Sequence, residues 1–166
     1  MSPRVVLVGP MGAGKSTVAA LLAEQWGVAA RDTDADVEAT EGRSVSDIFV
    51  DSGEEHFRAL EREAVATALA THDGVLALGG GAVLDPATRE LLAGHPVVFL
   101  RVGLADAVKR VGLGVGRPLL LGNVRARVKA LLDERTPIYE SVATITVDTD
   151  GRTPEDVAAE IREALA

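Results

Sequence analysis

The residues with the clearest chemical potential are 9–16, which read Gly-Pro-Met-Gly-Ala-Gly-Lys-Ser and match the pattern G-x-x-x-x-G-K-[ST]. Gly12 and Gly14 have no Cβ, so backbone N–H groups can surround a phosphate there without a steric clash. Lys15 can reach the β- and γ-phosphates of a nucleotide, and the Ser16 hydroxyl can ligate Mg²⁺. The segment therefore predicts a site for ATP together with Mg²⁺.

The flanking residues place this loop between a strand and a helix. Val5–Val8 is a short β-branched run typical of a buried strand, and residues 17–24 are rich in helix formers. Ala13 inside the loop and Thr17 after it complete the predicted nucleotide contacts, and the helix N-terminus adds a positive dipole end. An ordinary glycine-rich turn is the alternative, which the full pattern in this context disfavours.

A pair of carboxylates follows the second predicted strand, residues 28–31. Alternation along an extended chain predicts that Asp32 and Asp34 point the same way. One could orient the waters of Mg²⁺ while the other accepts a proton from a hydroxyl nucleophile. A calcium loop is excluded because Val37 and Arg43 occupy its required Gly and Glu positions. A solvated acidic turn remains the alternative.

Three consecutive glycines, Gly79, Gly80 and Gly81, follow the third predicted strand. Their unobstructed N–H groups could bind an anionic substrate group or a phosphate. A flexible turn between strand and helix is an equally good interpretation of the local sequence.

Arg58 and Glu61 are three residues apart on a predicted helix. Spacing alone favours a surface ion pair of little energetic consequence. The alternative is that Arg58 binds a substrate carboxylate with both arms of its guanidinium group while Glu61 holds it in place.

Residues 112–124 contain several glycines around a single cation, Arg117. This composition suits a lid that closes over a nucleotide, excludes water and presents Arg117 to the transferring phosphate. A disordered basic loop is the alternative.

The remaining basic, aromatic and histidine residues suggest no site by themselves. Arg110 is predicted to end a short helix, and Arg135 precedes Thr136-Pro137, where a helix is predicted to restart. We interpret Trp26 and Tyr139 as packing residues. The three histidines share no ligand spacing and are predicted to lie at the surface: His56, His72 and His95.

Composition limits the classes of protein that the chain can represent. It has 166 residues and a net charge of −8, which argues against nonspecific binding to nucleic acid or to an anionic membrane. It contains no cysteine, so it has neither disulfides nor thiolate metal sites. No signal peptide is apparent, and no run approaches the roughly 20 apolar residues of a membrane span. We expect a cytoplasmic, monomeric protein.

Strand-like and helix-like segments alternate along the whole chain, which predicts an α/β fold with a parallel sheet and helices on both faces. We expect one domain, residues 1–166, with a mostly helical stretch at 35–71. Right-handed crossovers would bring the candidate loops to one edge of the sheet. The five predicted strands are 5–8, 28–31, 75–78, 96–100 and 144–147.

Taken together, these motifs resemble the shikimate kinases, a family of P-loop small-molecule kinases. The resemblance covers nearly the whole chain, and its elements are more selective in this order than the P-loop alone. They are Gly-Pro-Met-Gly-Ala-Gly-Lys-Ser-Thr, Asp32-Thr33-Asp34, Ser46-Asp47-Ile48-Phe49, Gly53-Glu54-Glu55-His56-Phe57-Arg58 with Glu61, Leu78-Gly79-Gly80-Gly81-Ala82, Arg117-Pro118-Leu119-Leu120 and Arg135-Thr136-Pro137-Ile138-Tyr139.

The resemblance implies a three-layer α/β/α P-loop kinase fold with a five-stranded parallel sheet, a lid and a helical substrate-binding region at about 34–60. It implies ATP-dependent phosphorylation of the shikimate 3-hydroxyl, a step towards aromatic amino acids. In the family, the residues matching Arg58 and Arg135 bind the shikimate carboxylate, together with a glycine of the 79–81 turn. The residue matching Asp34 binds ring hydroxyls and is the candidate base.

For the nucleotide, the resemblance implies that the residue matching Asp32 acts near Mg²⁺, and that those matching Lys15 and Arg117 stabilise the phosphoryl group. The residue matching Arg110 stacks on adenine, with the segment from Arg152 to Pro154 on the other side. A gluconate or nucleoside monophosphate kinase is the nearest enzymatic alternative. A non-catalytic nucleotide-dependent switch is the alternative from another class.

Overall fold

A five-stranded parallel sheet forms the centre of the protein. The computed structural model describes the backbone of residues 2–115 and 121–166, and the side chains of residues 2–110 and 124–166. The strand order is β2-β3-β1-β4-β5, and every neighbouring pair is parallel. The prediction of five parallel strands is confirmed. The strands are β1 (Val5–Val8), β2 (Ala30–Asp32), β3 (Val75–Ala77), β4 (Val97–Arg101) and β5 (Ile145–Asp148).

Helices follow each strand in turn, as a parallel sheet requires of its connections. Within the described residues, none of them is at once long enough and apolar enough to cross a bilayer. A 3-10 turn at Ala82–Leu84 precedes the fifth helix. The helices are α1 (Lys15–Trp26), α2 (Thr33–Glu41), α3 (Val45–Ser52), α4 (Glu54–Thr71), α5 (Pro86–Leu92), α6 (Leu104–Val115), α7 (Leu121–Val142) and α8 (Pro154–Ala164).

The two faces of the sheet are buried under different helices, because successive strand residues point to opposite sides. On β1, Val5 and Leu7 pack against α1 and α8, whereas Val6 and Val8 pack against α4, α5 and α7. All four side chains are almost completely buried. The result is the predicted three-layer α/β/α arrangement.

Strand β1 lies between β3 and β4, so the chain leaves it towards one side of the sheet and later returns on the other. Loops from both halves therefore diverge at the carboxyl end of β1, where open α/β sheets bind ligands. The loop at 9–16 lies at this point.

The stretch predicted as a glycine-rich lid, 112–124, is partly helical. Helix α6 continues to Val115 and α7 begins at Leu121. Glycine in a helix interior costs only about 1 kcal/mol relative to alanine, a penalty that an established helix can absorb. Arg110 consequently lies within α6, and the prediction that it ends a helix is wrong.

Helix α7 also continues through Pro137, where a new helix was predicted. Proline in a helix interior costs about 3 kcal/mol because it removes an N–H and clashes with the preceding turn. Beyond it, Ile138, Tyr139 and Val142 pack into the core beneath the sheet. We infer that this packing offsets the cost.

His72 is buried, with only 9% of its surface exposed, so its predicted surface position is wrong. Its Nε2 lies 3.0 Å from the carbonyl oxygen of Val75. It follows the last residue of α4, and its imidazole fills the corner where the chain turns into β3.

Candidate active site

The phosphate-binding loop joins β1 to α1 and is shaped by two left-handed glycines. Gly12 has φ +84° and Gly14 has φ +90°, and residues with a Cβ atom rarely adopt such backbone angles. Gly14 is also the N-cap of α1, and no described side chain caps that helix end. The N–H groups of the first turn and the positive end of the helix dipole therefore face the loop, which suits an anion.

Lys15 is held inside this loop. Its Nζ donates hydrogen bonds to the carbonyl oxygens of Gly9 (2.7 Å) and Pro10 (3.0 Å). Burial lowers the pKa of Lys15 from 10.5 to about 8, although the negative charges of Asp34 and Asp32 act in the opposite direction. The ammonium group is thus a desolvated cation whose two hydrogen-bond partners are neutral carbonyl oxygens.

Asp32 connects the loop to the next element. The Ser16 hydroxyl donates to Oδ2 of Asp32 at 3.1 Å, and Oδ1 accepts from the backbone N–H of Asp34 at 2.8 Å. Asp32 ends β2 and is the N-cap of α2, so Asp34 lies in the first turn of a helix. The prediction that strand alternation aligns the two carboxylates is therefore wrong. Both nevertheless line one cavity with Lys15, Ser16 and Gly79.

The Asp34 carboxyl group lies near both negatively and positively charged side chains. Burial raises its pKa and the neighbouring Asp32 adds to the increase, whereas Lys15 and Arg58 oppose it. Its Oδ1 is buried and has no hydrogen-bond partner among the described residues. An unpaired buried acceptor is costly, so a ligand hydroxyl or ammonium group would be favoured there.

Arg58 and Glu61 form an ion pair in which the carboxyl group is buried and the guanidinium group is partly exposed. Arg58 Nη1 donates to Glu61 Oε1 at 2.8 Å, and only 4% of the Glu61 side chain is exposed. Burial raises the pKa of Glu61, whereas the hydrogen bond from Arg58 and its positive charge lower it. The prediction of a surface ion pair, which spacing alone favoured, is therefore wrong, because α4 turns Glu61 towards the interior. From there the Glu61 carboxyl group holds one edge of the Arg58 guanidinium group.

Two of the three glycines at 79–81, Gly79 and Gly81, are needed for close approach. Cβ atoms built on Gly79 and Gly81 would lie 2.5 Å from Asp34 Oδ1 and 2.5 Å from Arg58 Nη2, respectively. None of the three has a positive φ. The N–H of Gly79 donates to the Thr33 hydroxyl at 3.1 Å, so it is not one of the unobstructed donors that the sequence suggested. The turn is a surface against which two functional side chains lie.

Arg135 approaches the same place from α7. Its Nε is buried without a hydrogen-bond partner among the described residues. Its positive charge opposes the rise in the pKa of Glu61 and, together with Arg58, the rise in the pKa of Tyr139. Two guanidinium groups from different helices therefore lie near enough to the buried Glu61 carboxyl group to act on its pKa.

A second cavity continues from the loop on the other side. Arg110, Arg152 and Pro154 line it together with backbone of the phosphate-binding loop and Thr17. Arg110 Nη1 donates to the carbonyl oxygen of Gly12 at 2.8 Å, and Arg152 Nη1 donates to the Asp148 carbonyl oxygen (2.9 Å) and to Glu160 (2.7 Å). Arg117, the predicted lid residue, lies outside the described residues.

Two further residues, which were not predicted to contribute to this site, contact it in the structure. The Thr33 hydroxyl accepts from Gly79, and the Tyr139 hydroxyl donates to the carbonyl oxygen of Gly80 at 2.5 Å. Thr33 stands between the two aspartates, which could have suggested a role. Tyr139 is one helical turn after Arg135, so spacing on α7 predicts that the two share a face.

The sheet order, the phosphate-binding loop and the adjoining pocket with two arginines and a carboxylate together define a class of protein. This class is that of the P-loop kinases whose small-molecule substrates carry an acidic group. The comparisons with known proteins narrow this class to one family.

The family model described as shikimate kinase matches residues 11–166. A shikimate kinase of Salinispora arenicola is 64% identical over 166 residues, covering 100% of this chain and 99% of that protein. One of Thermobifida fusca is 62% identical, covering 98% and 95%. The structure of the Acinetobacter baumannii shikimate kinase in complex with shikimate has a TM-score of 0.90 and 34% identity, covering 99% of this chain and 93% of that one. This chain belongs to the shikimate kinase family.

Proposed function

We propose that the protein transfers the γ-phosphoryl group of ATP to the 3-hydroxyl of shikimate and releases shikimate 3-phosphate and ADP. One observation supports this most directly. Arg58, Arg135 and Asp34 converge beside the phosphate-binding Lys15, and two of their polar atoms, Asp34 Oδ1 and Arg135 Nε, are buried without partners among the described residues. A ligand with a carboxylate and hydroxyl groups would satisfy such atoms.

On the nucleotide side, the N–H groups of residues 12–17 surround the phosphates. Lys15 exchanges the Gly9 and Pro10 carbonyl oxygens for phosphate oxygens, which raise its pKa by opposite charge and keep it cationic. Arg110 and the segment from Arg152 to Pro154 flank the adenine ring in the adjoining cavity.

Ser16 and Asp32 fit a magnesium ion. The Ser16 hydroxyl and Asp32 Oδ2 lie 3.1 Å apart, and both are hard oxygen donors of the kind that Mg²⁺ prefers. In the described part of the chain, no group of three or more His, Cys, Asp or Glu side chains is arranged so that it could hold a metal ion. Ser16 would hold the ion directly, and Asp32 would hold it through a water molecule. When bound, Mg²⁺ would neutralise charge on the β- and γ-phosphates.

On the acid side, Arg58 and Arg135 bind the carboxylate, and Glu61 keeps Arg58 in position. The 79–81 turn closes one wall of the pocket. Asp34 accepts hydrogen bonds from the ring hydroxyls through its unpaired Oδ1. Burial and the charge of Asp32 raise the pKa of this carboxyl group, and Lys15 and Arg58 oppose the rise.

The transfer forms a bond between the 3-hydroxyl oxygen and the γ-phosphorus and breaks the bond between that phosphorus and the bridging oxygen of ADP. Asp34 takes the hydroxyl proton. Lys15 and Arg117 stabilise the charge that spreads over the γ-phosphoryl oxygens. Catalysis therefore depends on holding the two substrates in line, which is the role of the adjoining nucleotide and acid sites.

A coupled assay of ADP release, run with shikimate and separately with gluconate, tests this proposal. We expect turnover with shikimate and little or none with gluconate, which also carries a carboxylate and hydroxyls. Faster release with gluconate would transfer the assignment to that substrate. No release with either acid, combined with partner binding that differs between ADP and an ATP analogue, would favour a nucleotide-dependent switch.

We further propose that the enzyme is a monomer in the cytoplasm. A net charge of −8 supports solubility as separate molecules. Light scattering behind size-exclusion chromatography measures the mass directly, and 17.3 kDa is the expected value.

A further inference from the structure

Tyr139, the only tyrosine in the chain, has a hydroxyl contact that packing alone does not explain. The residue is fully buried, and its ring stacks on Phe99 with centroids 5.0 Å apart and planes inclined by 30°. This stacking explains why an aromatic ring is buried at this position. The hydroxyl, however, donates to the carbonyl oxygen of Gly80, which is 59 positions away in the sequence, at 2.5 Å.

Gly80 is the point where the two halves of the site meet. A Cβ atom built on it would lie 3.4 Å from the backbone nitrogen of Met11 and 3.7 Å from the carbonyl oxygen of Gly9, both in the phosphate-binding loop. Its neighbours Gly79 and Gly81 lie against Asp34 and Arg58. A shift of the Gly80 carbonyl group would therefore move the wall shared by the nucleotide and acid pockets.

Tyr139 is also next to the second arginine. It follows Arg135 by four residues on α7, so the two side chains share one face of the helix. Arg135 and Arg58 are the charged groups that act on the phenol, and both oppose the rise in its pKa that burial causes. The net shift is upward, so the hydroxyl stays protonated and remains a donor at neutral pH.

We propose that Tyr139 is a positioning residue for the phosphoryl transfer. Its hydroxyl fixes the 79–81 turn against the phosphate-binding loop and keeps the Arg135 guanidinium at the distance that the carboxylate of the acid requires. This inference rests on the proposed function, and it adds a role for a residue that touches neither substrate.

Tyr139→Phe tests the inference, because it removes only the hydroxyl and keeps the stack on Phe99. We expect the KM for shikimate to rise about tenfold, the effect of losing one well-placed hydrogen bond at the site. The KM for ATP should stay within about twofold of wild type, since Arg110 and Lys15 hold the loop through their own contacts. The matched control is Ser141→Ala, which removes an exposed hydroxyl bonded locally on the same helix and should leave both constants unchanged.

An unaltered KM for shikimate in Tyr139→Phe would overturn the inference. So would an equal rise in both KM values together with a loss of stability to urea, which is the pattern of a packing residue. A wild-type enzyme without shikimate-dependent ADP release would instead refute the proposed function, so the two failures are distinguishable.

A second measurement covers the case in which Tyr139→Phe does not fold. Wild-type protein grown with 3-fluorotyrosine carries the label at position 139 alone, because the chain has one tyrosine. We expect shikimate to shift the ¹⁹F resonance saturably, with a midpoint equal to its Kd. A resonance that stays in place while shikimate binds would overturn the inference.

Discussion

Replacing Gly81 by alanine should weaken shikimate binding with little harm to the fold. A Cβ atom at this position would lie 2.5 Å from Nη2, 2.7 Å from Nη1 and 2.8 Å from Cζ of Arg58, whereas ordinary contact begins at 3.4 Å. The guanidinium group must therefore retreat by about 1 Å, a displacement that can cost a site much of its activity. Because this group is the end of a flexible side chain and the φ of Gly81 is negative, the backbone can stay in place.

The cost falls on a charge-assisted hydrogen bond. Arg58 is tied to Glu61 at 2.8 Å, so the retreat breaks this contact or pulls both side chains out of place. The displaced Arg58 would lose one charge-assisted hydrogen bond to the shikimate carboxylate, which costs about 1.5–3 kcal/mol. This corresponds to a rise in the KM for shikimate of roughly 10- to 100-fold. The KM for ATP and the urea midpoint should change much less.

Steady-state kinetics with each substrate varied in turn, together with urea unfolding, measure these quantities. Gly80→Ala is the comparator in the same turn: its Cβ atom would meet nothing closer than 3.4 Å, so we expect a change of at most about threefold. A normal KM for shikimate in Gly81→Ala, or the same effect in both variants, would refute this prediction.

Three further predictions concern the charged groups. Asp34→Asn should lower turnover about 10²- to 10⁴-fold while ADP still binds, and an unchanged rate would show that Asp34 does not transfer the proton. Because burial raises the pKa of Asp34, the turnover of the wild-type enzyme should fall as the pH drops through that raised pKa. Arg58→Lys should raise the KM for shikimate about tenfold, since lysine cannot make the paired contact, and an equal rise in the KM for ATP would contradict this. Burial lowers the pKa of Lys15 to about 8, so above that pH part of the free enzyme is uncharged there, and bound phosphates restore the proton. Calorimetry of ADP binding at about pH 8.5 in buffers of different ionisation enthalpy should record proton uptake that Lys15→Arg abolishes; equal uptake in both proteins would assign the proton elsewhere.

Much of the fold follows from local sequence. The runs at Val5–Val8 and Val97–Leu100 are apolar because strands buried on both faces must be, and the predicted alternation of strands and helices is confirmed by the sheet order. The errors occur where tertiary contacts outweigh local preference. Pro137 predicts a break in α7, but packing against the sheet carries the helix through it.

The site divides in a similar way. The phosphate-binding loop is contiguous, so its residues could be identified from their order alone. The pair of Arg58 and Glu61 could not be interpreted correctly, because its meaning depends on whether α4 turns Glu61 inward. The contact between Tyr139 and Gly80 joins residues 59 positions apart, and no local pattern indicates it.

By itself, the sequence determined the phosphate-binding loop, the alternating strands and helices, and the residue types available to bind an acid and a hydroxyl. These properties are encoded within a few neighbouring residues, where backbone sterics and side-chain chemistry act directly. Only the tertiary structure decided which cations become buried beside which carboxylates and why Gly79 and Gly81 must lack a side chain. Charge effects and close contacts depend on separation in space, and the fold sets that separation for residues that are distant along the chain.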